Sequence, residues 1–129
     1  MTPRLLTSIG LTLLTCPAWA APALYNCVFE AGPEKEAQVR HKPHVVDYIY
    51  DPVAGGGVIL GNDLEVLVVK GAEAISFVTK GPDGGVDSTT IHLNGQKDNK
   101  FPAVFSSHHI EGDLRPGQWR GWCTLSQRG

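Results

Sequence analysis

No run of about 20 consecutive apolar residues occurs in this chain, and a helix needs that length to cross a bilayer. Basic charge is not in excess either. Eleven Lys and Arg stand against 13 Asp and Glu, which gives no electrostatic reason to bind nucleic acid or an anionic membrane. A sustained helical period, an internal repeat and any mark of a second domain are also missing. Three catalytic signatures are lacking. No serine sits in a G-x-S-x-G elbow. Gly55-Gly56-Gly57 runs into Val58-Ile59-Leu60 rather than into the Lys-Ser/Thr pair and helix of a phosphate cradle, and reads as a flexible connection between strands. The carboxylates are scattered over turns and strand ends and nominate no acid/base pair. Nothing indicates a cofactor.

What is present begins with an export pattern. Arg4 gives a short positive start, residues 5–15 are largely apolar, Pro17 ends the stretch, and Ala18-Trp19-Ala20 supplies small residues where a signal peptidase reads. Residues 1–20 read as a signal peptide, leaving 21–129 as a single exported β-domain, periplasmic or secreted. Leu13-Leu14-Thr15-Cys16 also resembles a lipobox loosely, so lipidation of Cys16 is the alternative, against which Thr15 is bulky and Pro17 follows directly.

Cleavage removes Arg4, Cys16 and no acidic residue. Ten basic side chains then face 13 acidic ones, a formal charge of −3, and two cysteines remain. In an exported chain the simplest arrangement pairs Cys27 with Cys123. Two unpaired buried thiols are the alternative.

Turn residues recur every eight to twelve positions, the spacing of an all-β sandwich or barrel. Six or seven strands are expected among the eight segments 24–30, 44–50, 58–60, 64–70, 74–80, 86–93, 101–109 and 118–125, the third being the weakest. The middle of the chain suggests an antiparallel meander. A loop at Gly71-Ala72-Glu73 sets Val69 opposite Ile75 and Leu67 opposite Phe77. A turn at residues 81–85 sets Phe77 opposite Thr89 and Ile75 opposite Ile91. Asn94-Gly95 is a two-residue hairpin signal, but only a loop over residues 94–100 keeps apolar residues facing, with Ile91 opposite Ala103 and Thr89 opposite Phe105. One face then carries Leu67, Val69, Ile75, Phe77, Ile91, Leu93, Phe101, Ala103 and Phe105. In the last strand Trp119, Gly121, Cys123 and Leu125 share the core side, as do Tyr25, Cys27 and Phe29 near the start.

Histidine offers the first candidate chemistry. His41 and His44 are a possible metal pair from a turn, with one distant ligand needed besides. Adjacent His108 and His109 point to opposite faces of an extended segment, and His108 falls opposite Val86, far along the strand from His92. Solvated surface histidines are the plainer reading. Ser76, Ser88, Thr90, His92, Ser106 and His108 form the other face of the meander, either a solvated surface or a polar binding face. Arg120 and Trp122 project together from the last strand, the composition of an interface hot spot; a second core layer would account for them equally.

Leu24-Tyr25-Asn26-Cys27 near the start and Gly121-Trp122-Cys123-Thr124-Leu125 near the end resemble two groups of small exported bacterial proteins. One is a set of uncharacterised β-meander proteins with an aromatic-Gly-x-Cys-like tail. The other is the periplasmic inhibitors of C-type lysozyme, small antiparallel barrels that begin with Tyr-x-Cys and close it with a C-terminal cysteine. The resemblance implies such a barrel, but the inhibitors' Ser-Gly-x-x-Tyr loop is missing and no inhibitory residue carries over.

The sequence thus leads to an all-β antiparallel meander, a small sandwich or barrel closed by one disulfide. Its expected role is an exported, non-enzymatic binding or accessory protein with a protein partner, no nucleic acid and no membrane after cleavage. The alternatives are a His-based metal-binding or enzymatic periplasmic module and a lysozyme-inhibitor-like protein.

Overall fold

Side chains alternate between buried and open positions along the long strands, as the two-residue period of β structure requires. The computed structural model describes residues 21–31, 43–81, 84–110, 112 and 114–127. It contains eight strands: β1 (Ala23–Ala31), β2 (His44–Tyr50), β3 (Gly57–Ile59), β4 (Leu64–Lys70), β5 (Ala74–Lys80), β6 (Val86–His92), β7 (Lys100–Ile110) and β8 (Leu114–Gln127). Each pairs antiparallel with the next, and β1 pairs with β8, so the meander closes into a barrel. The weakest expected strand is real but spans only three residues, its partners being Tyr48–Tyr50 on one side and Leu64–Val66 on the other.

Eight strands enclose a space that side chains can fill or that can hold one small ligand. Here it is filled. The Tyr48 and Phe77 rings stack with centroids 4.4 Å apart, Tyr25 leans on Phe77 at 5.7 Å, and Phe105 sits between Phe29 at 5.6 Å and Trp119 at 5.5 Å. Phe29, Ile75, Phe77 and Ile91 are fully buried, each worth about 1.5–3 kcal/mol of apolar burial.

The Cys27–Cys123 disulfide is present. The two residues are direct partners across the β1–β8 seam, with Cα atoms 4.0 Å apart and a sequence separation of 96. Beside them the seam is unusually close. A Cβ on Gly121 would collide with the carbonyl oxygen of Val28, where β1 bulges between Phe29 and Ala31, so only glycine fits.

The register expected for β5, β6 and β7 holds: Phe77 faces Thr89, Ile91 faces Ala103 and Val86 faces His108. The β4–β5 pairing is different. Lys70 faces Ile75 and Val68 faces Phe77, one residue out from the expected pairing. The loop is two residues rather than three, because Gly71 donates its N–H to the Ala74 carbonyl at 2.8 Å and joins the ladder. Since strand faces alternate, the slip moves the whole strand over. Val66 and Val68 face the core, while Leu67 and Val69 are 65% and 56% exposed.

Two connections also depart from expectation. The β6–β7 loop does open beyond Asn94-Gly95, and its tight turn lies at Asp98-Asn99. Both residues have left-handed φ (52° and 61°), and Lys97 and Lys100 exchange backbone hydrogen bonds on either side. The segment before β3 is tied rather than loose. Asp51 accepts the amides of Val53, Ala54 and Gly55, and Gly57 belongs to the strand, where a Cβ would lie 2.8 Å from the Ile49 oxygen.

Candidate functional site

Pairing across the closing strands assembles an outward row that no single segment displays. Val28 on β1 lies opposite Val45 on β2 and Trp122 on β8, and Trp122 lies opposite Pro102 on β7. Four apolar residues from four neighbouring strands therefore stand side by side on the outside of the barrel. At about 4.8 Å per strand the belt is roughly 15 Å across. Val45 is 60% exposed, Pro102 is exposed, and Val28 and Trp122 are half-buried by their neighbours.

Polar rows border the belt. On one side Lys100 lies opposite Thr124 and places its ammonium 4.6 Å from the centre of the Trp122 ring, a cation–π contact worth about 0.5–1 kcal/mol at an exposed site. On the other side Arg120 is exposed opposite Val104. On the Lys100 side, Lys97, Asp98, Lys100, Pro102, Gly121 and Trp122 line a shallow groove. An apolar, aromatic-centred strip with a charged rim has the composition of an interface core. The expected pair Arg120 and Trp122 thus does share one outer face, and Trp122 is not part of a second core layer.

The outer face of β5–β7 carries Ser76, Ser88, Thr90, His92, Ser106 and His108, as the alternation indicates. Several of these groups satisfy one another: the Ser76 and Thr90 hydroxyls are 2.7 Å apart, and Gln118 Nε2 donates to Ser106 Oγ at 3.3 Å.

Inside the barrel, at the end where β5 turns into β6 and β7 into β8, lies a cluster the sequence reading missed. Ser107, 1% exposed, donates its hydroxyl proton to Asp87 Oδ1 at 2.7 Å and contacts Nε2 of His109. With that proton committed to Asp87, His109 Nε2–H is the donor to the serine oxygen. A catalytic triad runs the other way, with histidine accepting the serine proton. The trio therefore satisfies buried polar groups. Lower in the barrel Tyr48 and Thr89 share a buried 2.7 Å hydrogen bond. Burial pushes the phenols of Tyr25 and Tyr48 above their ordinary range; Tyr50 adds to the first, and the Thr89 hydrogen bond offsets part of the second.

The histidines are not uniformly solvated, contrary to the plainer expectation. His44, His92 and His108 are exposed, although His44 rests its ring on Phe105 at 4.5 Å between centroids, and His109 points inward. Partial desolvation lowers the His44 pKa, with Asp87 acting in the opposite direction. His41 lies outside the described residues. Among the described residues no three His, Cys, Asp or Glu side chains gather closely enough to hold a metal ion.

Signals for the missed groups were in the sequence. Ser107 and His109 continue the core-facing alternation of Phe101, Ala103 and Phe105, and Asp87 continues that of Thr89 and Ile91. Val28, Val45 and Pro102 needed the β1–β2 and β7–β8 registers, which no turn motif fixes. Compared with protein-family models, with curated proteins and with solved structures, the chain matches none.

Proposed function

We propose that this chain is an exported, non-enzymatic binding protein that docks a protein partner on the outward belt centred on Trp122. One observation carries the reading: Val45, Val28, Trp122 and Pro102 form a continuous apolar row on the outside of the barrel. Burying a half-exposed tryptophan between aliphatic neighbours is the commonest source of binding energy at an interface, and Lys100 and Arg120 supply charged rim contacts. Export rests on the signal-like pattern of residues 1–20, and the buried disulfide is consistent with an oxidising compartment. The test is affinity capture from the exported fraction of the native host with wild-type, Trp122→Ala and Arg120→Ala chains. A partner retained by wild type and lost with Trp122→Ala supports the reading. Equal capture by all three chains contradicts it.

A second reading, a lysozyme-inhibitor-like protein, is favoured by a different observation. The barrel is eight-stranded and antiparallel, and its disulfide joins a Tyr-x-Cys strand to the C-terminal strand. Without the Ser-Gly-x-x-Tyr loop, no inhibition of a C-type lysozyme is expected; stoichiometric inhibition would replace the first reading with this one.

A further inference from the structure

The chain contains four asparagines, and three of them make a side-chain hydrogen bond. The Asn26 amide donates to Asp47 Oδ1 at 2.8 Å within paired strands. Asn62 Oδ1 accepts the Leu64 amide at 3.1 Å. Asn99 Oδ1 accepts from Gln96 Nε2 at 3.4 Å, in the Asp98-Asn99 turn. Asn94 differs. It is exposed, and its side-chain amide makes no hydrogen bond among the described residues. The next residue is Gly95, so no side chain shields the peptide nitrogen.

The surroundings of that nitrogen are specific. Gly95 N–H reaches the His92 carbonyl at 3.4 Å, longer than the usual 2.7–3.2 Å range, so it is weakly engaged. A Cβ on Gly95 would lie 2.6 Å from His92 Nδ1 and 3.1 Å from the Pro102 ring. The imidazole of His92 and the Pro102 ring therefore lie against the Gly95 α-carbon.

We propose that Asn94-Gly95 is a site of spontaneous deamidation. The Gly95 nitrogen attacks Cγ of Asn94 as solvent accepts the N–H proton. The new N–Cγ bond closes a succinimide, the Cγ–Nδ2 bond breaks, and the amide nitrogen takes up a proton and leaves as ammonia. Water then opens the ring at either carbonyl, giving aspartate or isoaspartate. One water is consumed, one ammonia is released, and no oxidant or reductant takes part. The product adds a negative charge, and in the isoaspartate form an extra backbone carbon, to the loop that carries Lys97 and Lys100. The latter covers the Trp122 ring, so the modification reaches the rim of the belt. The chemistry stands whether or not that belt binds a partner.

Peptide mapping by mass spectrometry of the folded, disulfide-bonded chain, incubated at neutral pH, reads the change from amide to acid residue by residue. Modification is expected at Asn94, with Asn26, Asn62 and Asn99 unchanged over the same period. Modification of Asn94 no faster than of Asn62 would overturn the site.

Discussion

Cys27 and Cys123 are direct partners on β1 and β8, so the covalent link lies on the seam that closes the barrel. No loop joins the first strand to the last, so the disulfide is the covalent link across the seam that their backbone ladder closes. Locking this pair restricts a loop of 96 residues in the unfolded chain, which in a chain-entropy account is worth several kcal/mol.

Replacing both cysteines by alanine is expected to destabilise the domain by about 2–5 kcal/mol without an unpaired buried thiol to complicate the reading. Urea unfolding of the double variant beside wild type measures it. The far-ultraviolet spectrum should stay that of a β protein under native conditions, since eight strands of ladder and the aromatic stack remain. A stability equal to that of wild type would show that the seam closes without help from the bridge.

The β4 register gives a pair of opposite expectations at adjacent positions. Val66 is 7% exposed and Leu67 is 65% exposed. Val66→Asp places a carboxylate in the core and is expected to cost about 3 kcal/mol or more. Leu67→Asp replaces a surface side chain and is expected to stay within about 0.5 kcal/mol of wild type. Thermal or denaturant unfolding separates them. The reverse order would restore the pairing of Leu67 with Phe77.

Acid sensitivity is expected to trace partly to His44. Partial desolvation lowers its folded-state pKa from the ordinary value of 6.5, against the pull of Asp87. The unfolded chain therefore takes up a proton at a higher pH than the folded one. The contribution is fully present above about pH 6.5 and is lost as pH falls through the folded-state value. His44→Gln should flatten this part of the stability-against-pH curve. In wild type, nuclear magnetic resonance should show the His44 ring titrating below the ordinary value. Asp87→Asn should move it lower still. An upward movement would contradict the packing of His44 on Phe105.

Much of the scaffold was legible because several independent constraints agree. Turn spacing, two-residue alternation and a single cysteine pair all point to an antiparallel meander, and Phe77, Thr89, Ile91, Ala103 and Phe105 fall into register together. The misplacement of Leu67 and Val69 has a simple cause. Every residue from Val66 to Val69 is apolar, so alternation cannot choose a face, and one residue more or less in the Gly71-Ala72-Glu73 loop decides it. The site was half legible. Arg120 and Trp122 were visible from their own strand, whereas Val28, Val45 and Pro102 join them only through long-range pairing. The inward Asp87, Ser107 and His109 were overlooked because polar residues were assigned to the outside, although their parity placed them within.

The most direct test of the belt is site-specific photo-cross-linking in the native host. A photoreactive side chain is placed at Val45 in one chain and at Leu67, also exposed but on the far side of the barrel, in another. A single cross-linked species of defined mass is expected from position 45, absent when Trp122→Ala is combined with it, and none of that mass from position 67. Cross-linking of the same species from position 67, or its persistence from position 45 in the Trp122→Ala chain, would contradict docking on the Trp122 belt.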